Sequence, residues 1–255
     1  MKQMQVMVSE RRTLGPALWQ IQVIAPDMVK TTRPGQFYLA AGPTALRRPL
    51  FPARLGPGDL SFLVKAGPDP FVAWLASRAP GDSLDLIGPL GQGFDAPTSG
   101  QHLLLITETA VDVGPLLPLM DGASVITLLT GATQTTTVFP PRELPPAVEL
   151  RVATADGSLG QRGDVTSLLS DALPWADRVC AVGSRQLYRA LGAAIEETRP
   201  GPLSGFAQVL LTDVPFVCGV GACLACAVAG QRHPHLACVE GPVFDLNDLA
   251  QELAQ

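Results

Sequence analysis

Polar and apolar residues alternate along Gln20-Ile21-Gln22-Val23-Ile24, the pattern of a strand with one face in a core and one in water. Gly35-Gln36-Phe37-Tyr38-Leu39-Ala40, Leu60-Ser61-Phe62-Leu63-Val64-Lys65 and Ser83-Leu84-Asp85-Leu86-Ile87 read as further strands, separated by Gly- and Pro-rich turns. Short, punctuated strands of this kind predict a small antiparallel β-barrel over residues 1–98, with one short helix at Phe71–Ala79. From residue 99 the pattern changes. His102-Leu103-Leu104-Leu105-Ile106 is a continuous apolar run, as expected of a strand buried on both faces. Ser124–Leu129 and Arg178–Val182 are similar runs, Val148–Val152 reads as another strand, and Val113–Met120, Asp164–Leu169 and Ser184–Arg199 between or after them read as helices. Strands alternating with helices predict a parallel α/β sheet over 99–200. Thr198-Arg199-Pro200-Gly201-Pro202 reads as a linker to a small tail, 201–255.

Composition refines this picture in two ways. The chain has 255 residues, and its 25 glycines and 24 prolines suit many tight turns. Its 18 Lys and Arg against 23 Asp and Glu leave a net charge of −5, which argues against a nucleic-acid footprint. The start, Met1-Lys2-Gln3-Met4-Gln5-Val6-Met7, lacks the apolar region of a signal peptide. The most hydrophobic stretch, 103–132, is interrupted by Glu108, Asp112 and Asp121, so no run of about 18 apolar residues exists to span a membrane. The expectation is a soluble cytoplasmic protein. In that reducing compartment, clustered cysteines read as metal ligands or redox groups before disulfides.

Four of the 5 cysteines form such a cluster, Cys218-x4-Cys223-x2-Cys226-x11-Cys238. The spacing is that of plant-type ferredoxins, in which three thiolates come from one short loop and the fourth from further along to hold a [2Fe–2S] cluster. The small residues of Gly219-Val220-Gly221-Ala222 let backbone N–H groups approach the sulfurs. A zinc site remains the competing reading, although one C-x4-C sharing Cys223 with one C-x2-C is not the usual zinc layout. His233 and His235, flanking Pro234, read as surface loop residues, and Cys180 as a buried small hydrophobe.

The tail, with Cys218-Gly-Val-Gly-Ala-Cys223-Leu-Ala-Cys226 and then Ala237-Cys238-Val239-Glu240-Gly241-Pro242-Val243-Phe244-Asp245, resembles the electron-transfer subunit of two-subunit dihydroorotate dehydrogenase, a branch of the ferredoxin–NADP reductase superfamily. The likeness runs through the whole chain in order. It implies a flavin-binding barrel (1–98), a nucleotide-binding α/β domain (99–200) and a [2Fe–2S] domain (201–255) with Cys218, Cys223, Cys226 and Cys238 as ligands. Leu46-Arg47-Arg48-Pro49-Leu50 looks like the family's flavin strand, in which an arginine holds the FAD pyrophosphate. Gly88-Pro89-Leu90-Gly91-Gln92-Gly93-Phe94 looks like the loop joining barrel to nucleotide domain. The implied flavin contacts are Arg48, Pro49, Leu50, Phe51, Leu63 and Val64. No residue is assigned a catalytic role.

Four departures stand out. Phe51 replaces a small hydroxyl residue, and Gly67-Pro68-Asp69-Pro70 replaces a glycine followed by threonine or serine. The glycine-rich nucleotide loop has become Thr107-Glu108-Thr109-Ala110-Val111-Asp112-Val113-Gly114-Pro115-Leu116, which keeps its register but gains two carboxylates that would repel a dinucleotide phosphate. The family's Cys-Gly-Pro segment is altered to Ala181-Val182-Gly183-Ser184-Arg185, while Thr154–Gly160 stays close to the family pattern. The resemblance implies an oxidoreductase component of pyrimidine biosynthesis rather than a stand-alone catalyst. It would pass electrons between FAD, the cluster and a dihydroorotate dehydrogenase-like catalytic subunit in a hetero-oligomer, with NAD(H) as the far-side partner. Two alternatives stay open: a cluster-bearing relay or regulatory subunit that no longer binds NADH, and a non-redox zinc-binding interaction module.

Overall fold

The computed structural model describes residues 1–121, 125–199 and 204–253. Seven strands form the first sheet: β1 (Lys2–Gly15), β2 (Leu18–Ile24), β3 (Phe37–Ala40), β4 (Arg48–Leu50), β5 (Pro52–Leu55), β6 (Asp59–Lys65) and β7 (Ser83–Leu90). Their order is β4-β3-β7-β1-β2-β6-β5, every pairing is antiparallel, and they make a near-closed barrel. Val6 and Val8 of β1, Ile21 and Val23 of β2, Phe62 of β6 and Leu84 and Leu86 of β7 alternate inward to fill it. Two short helices, α1 (Pro26–Val29) and α2 (Pro70–Ala76), lie between strands. Strand β1 went unread in the sequence, although Met4, Val6 and Val8 carry its alternation.

The second sheet contains β8 (His102–Thr107), β9 (Val125–Ala132), β10 (Val148–Thr154), β11 (Gln161–Arg162), β12 (Arg178–Val182) and β13 (Ala207–Leu210), all parallel. The apolar run of β8 is explained by its two faces: Leu104 and Ile106 enter one core, Leu103 and Leu105 the other. Helices α3 (Leu169–Ala172) and α4 (Arg185–Thr198) cover one face, and Ser184 caps α4 by accepting from Leu187 N at 3.2 Å. The helix expected at 113–120 is a 3₁₀ helix over Ala110–Leu119, because Pro115 and Pro118 within it cannot donate backbone hydrogen bonds.

The tail does not stand apart. Strands β14 (Ala227–Val228) and β15 (His235–Leu236) form a hairpin beside the cysteines, while β16 (Val243–Asp245) pairs antiparallel with β13 and closes the edge of the second sheet. The chain continues into α5 (Ala250–Leu253). Of the expected linker, Pro200, Gly201 and Pro202 lie outside the described residues, as does Ser124 of the expected strand. The full sheet order is β11-β10-β9-β8-β12-β13-β16. The strand order therefore reverses direction between β8 and β12, and this is where α/β sheets open a crevice at their carboxyl ends.

Candidate functional site

The cysteine loop runs from Phe216 into β14. Cys226 and Cys238 are buried, Cys218 is half-buried and Cys223 is exposed. Backbone N–H groups point at the sulfurs: Gly221 N donates to Cys238 Sγ at 3.2 Å, Cys238 N to Cys226 Sγ at 3.4 Å, and Val220 N to Cys218 Sγ at 3.5 Å. The first of these needs the left-handed backbone at Gly221, φ 76°. Leu224, between the last two loop cysteines, is also left-handed at φ 58°. That conformation costs a non-glycine residue roughly 1–2 kcal/mol, so the surrounding loop imposes it.

The cysteines fall into two pairs. Cys218 lies within hydrogen-bonding reach of Cys223, and Cys238 within reach of Cys226. Backbone donors at Val220 and Cys223 bring the Cys218 thiol down to about 6, whereas burial pushes Cys238 up to about 12. Two thiols on each side, with N–H donors aimed at sulfur, form a donor set that fits a two-iron cluster. Cys180 is different. It is 1% exposed within β12, its thiol pushed up to about 12 by burial, and it packs as a hydrophobe.

The histidines correct the sequence reading in part. His233 is exposed, but His235 is buried in β15. Its Nδ1 lies 2.8 Å from Glu240 Oε2 and its Nε2 2.8 Å from Asp248 Oδ2. Burial pulls the pKa of His235 down, but Glu240 and Asp248 outweigh it and hold the imidazole above its ordinary value. Its Nδ1 is engaged by Glu240, while its Nε2 lies near Asp248 without an aligned hydrogen bond.

Arg48, Pro49, Leu50, Phe51, Leu63 and Val64 all line one cavity of about 370 Å³ between the barrel and the Ala110–Leu119 helix. Its walls are mostly apolar, completed by Phe71, Leu75, Val111 and Pro115, as a flat heteroaromatic ring requires. Arg48 lies at its rim, paired with Asp69 at 3.0 Å. Both side chains are substantially exposed, so the pair holds the guanidinium only weakly. Arg47 is instead fixed by Asp85, whose carboxyl it holds below the usual range. Phe51 serves packing: its ring centroid lies 5.9 Å from Phe37 and 6.5 Å from Phe216, and Phe37 lies 4.4 Å from Phe216. The trio joins the cavity wall to the start of the cysteine loop. Behind it, Gln92 N donates to Gly241 O at 2.5 Å and Gln92 Nε2 to Val239 O at 3.2 Å, tying the 88–94 segment to the turn that carries the fourth cysteine.

A second cavity of about 410 Å³ opens at the carboxyl ends of β8, β9 and β10. Glu108, Thr109 and Ala110 line it on one side, with Gly131, Thr133, Ala155, Asp164 and Lys65 around the rest. The sequence reading placed both carboxylates here, but only Glu108 lines this cavity; Asp112 lines the first one. Both are bonded within the protein: Glu108 to Ser184, and Asp112 to Thr109.

A flavin-sized cavity on an antiparallel barrel, a parallel sheet with an open carboxyl edge and a paired-cysteine loop define an iron–sulfur flavoprotein of the ferredoxin reductase fold. Across 98% of this chain and 93% of the other, the structure superposes with a TM-score of 0.82 and 25% identity on an NADH-dependent reduced ferredoxin-NADP oxidoreductase, described in connection with flavin-based electron bifurcation. A ferredoxin NADP+ reductase from Neisseria gonorrhoeae with bound FAD and NADP shares the fold alone, at TM-score 0.66 and 13% identity over 83% of this chain and 99% of that one. Residues 215–250 match the iron-sulfur cluster binding domain of dihydroorotate dehydrogenase B. The electron transfer subunit of dihydroorotate dehydrogenase B (NAD(+)) from Bacillus caldolyticus is 30% identical over 93% of this chain and 94% of its own length. That from Desulforamulus reducens is 29% identical over 91% and 92%. The chain belongs to the family of dihydroorotate dehydrogenase B electron transfer subunits.

Proposed function

We propose that the chain serves as the electron transfer subunit of a dihydroorotate dehydrogenase B, passing electrons between FAD, a [2Fe–2S] cluster and the flavin of a catalytic partner subunit in pyrimidine biosynthesis. The observation that carries this is the placement of both cofactor sites on one packed unit, joined by Phe37, Phe51 and Phe216. Cys218, Cys223, Cys226 and Cys238 hold the cluster. Arg48, Pro49, Leu50, Phe51, Leu63 and Val64 hold the flavin, with Arg48 on its pyrophosphate. The bound groups supply one- and two-electron redox chemistry, and the protein supplies position and potential. NAD(H) is the far-side redox partner of the family.

The functional units are residues 1–98 for the flavin, 99–200 for a nucleotide and 201–255 for the cluster. Val220, Leu224 and Val239 are 49%, 62% and 42% exposed around the cysteine loop and form the docking face for the catalytic subunit. Among the described residues no helix is long and apolar enough to cross a membrane, and we place the complex in the cytoplasm, where the thiols stay reduced until the cluster is inserted.

The test is anaerobic co-purification with the catalytic subunit, followed by analysis of iron, sulfide and flavin and by absorption spectra before and after dihydroorotate. Bleaching of both flavin and cluster bands is expected. A colourless preparation, or a zinc-containing one without sulfide, sinks the reading.

A further inference from the structure

The crevice between β8 and β12 is where a parallel sheet of this order presents backbone N–H groups to a dinucleotide pyrophosphate. In this chain a carboxylate is already there. Glu108, one residue past the end of β8, reaches across to the cap of α4. Ser184 N donates to Glu108 Oε2 at 2.5 Å and Ser184 Oγ donates to Glu108 Oε1 at 2.9 Å. Gly183 makes the approach possible, because a Cβ there would lie 2.8 Å from Glu108 Oε2. Tyr188 holds this turn in place, its hydroxyl accepting from Gly183 N at 2.9 Å and donating to Leu210 O at 2.5 Å. One turn further along the loop, Asp112 Oδ2 accepts from Thr109 N at 2.9 Å and from Thr109 Oγ1 at 2.7 Å, occupying the start of the Ala110–Leu119 helix.

We propose that Glu108 is the built-in occupant of the anion-binding end of α4 in this crevice, with Asp112 holding the start of the neighbouring Ala110–Leu119 helix, so that a dinucleotide binds only by displacing them and NADH is a weak electron donor to this chain. The proposal rests on the electron-transfer reading above and names the residues that set its far-side specificity. An incoming pyrophosphate meets two like charges and must also replace the Ser184 and Thr109 hydrogen bonds. The remaining rim of the cavity is poorly placed to compensate: Asp164 adds a second carboxylate to the lining, and Lys65 is its one cation among the described residues. Lys65 also borders the flavin cavity, which divides its charge between the two sites.

The experiment uses the holo complex with its catalytic subunit and two probes, NADH and the redox-inert ADP-ribose. Glu108→Gln removes the charge but keeps an acceptor for Ser184. Glu108→Gly combined with Asp112→Asn opens both ends. ADP-ribose is expected to bind the double variant at least about tenfold more tightly than the natural chain, with Glu108→Gln between them. NADH is expected to bleach the flavin at correspondingly lower concentration. Equal ADP-ribose affinity across the three chains, or flavin bleaching of the natural complex at micromolar NADH, overturns the proposal. Should the double variant fail to fold, Glu108→Gln alone decides, since its bonding to Ser184 is preserved. Dihydroorotate added to the same samples separates the two failures: if it leaves flavin and cluster oxidised, the electron-transfer reading is wrong, whatever the nucleotide arms show.

Discussion

At the scale of single residues, the site is shaped by where carboxylates sit relative to cations and N–H groups. In the proposed flavin site, Asp69 pairs with Arg48 across an exposed 3.0 Å contact and would compete there with a pyrophosphate. Asp69→Asn keeps an acceptor for Phe71 N, now at 2.8 Å, while freeing the guanidinium. It is expected to tighten FAD severalfold, and Arg48→Ala to loosen it by about tenfold, the worth of one charge-assisted contact; flavin fluorescence titration of the apoprotein checks both. Asp112 gives a pH signature. Burial raises its pKa to about 6, opposed by its bonds from Thr109. A folded-state pKa above the unfolded one means that protonation favours the fold. Its stabilising share is complete below about pH 4, the unfolded value, and is lost as pH rises through about 6. The thermal midpoint of the natural chain should therefore fall relative to Asp112→Asn over that window; parallel curves contradict it.

At the scale of elements, periodicity told strand from strand but not which strands meet. The alternation at 20–24 and the unbroken run at 102–106 reported burial on one face and on two, and β2 and β8 fill their cores accordingly. The cysteine spacing was equally legible, because ligand spacing is a local property. The Ala110–Leu119 segment was misjudged in type since its apolar content outweighed Pro115 and Pro118 in the reading. The partners of Glu108 and Phe51 lay beyond reach. Ser184 is 76 residues from Glu108, and Phe216 is far beyond Phe51, so both contacts exist only because the sheet places β12 beside β8 and returns the tail to the barrel. Phe51, a departure from the family on sequence grounds, is explained by that return. Phe51→Ser should cost about 2 kcal/mol from lost ring packing at a half-buried position, measured by denaturant unfolding of the holoprotein, and should leave iron content unchanged if the cysteine loop holds its own shape.

At the scale of the whole molecule, two cofactor sites share one continuous packing unit. Phe37, Leu39 and Leu90 of the barrel belong to the same core cluster as Cys226 and Cys238. The cluster's outer side is the exposed rim of Val220, Leu224 and Val239. A carboxylate placed on that rim would be buried unpaired on docking, so Leu224→Asp should weaken association with the catalytic subunit by about tenfold or more while iron and flavin content stay intact. Analytical ultracentrifugation of the mixed subunits measures it, and undiminished association removes the rim from the interface.

The pairing of β13 with β16 has a consequence for synthesis. Residues 243–245 supply the strand that covers the edge of a parallel sheet whose other members are complete by 210. On the ribosome, that edge stays open until residue 245 has emerged, exposing a row of unpaired backbone groups to other nascent chains. The same late segment follows directly on Cys238, the fourth ligand. Closing the sheet edge and delivering the last of the four clustered cysteines thus fall close together during synthesis, so the open edge persists for as long as the cysteine set is incomplete.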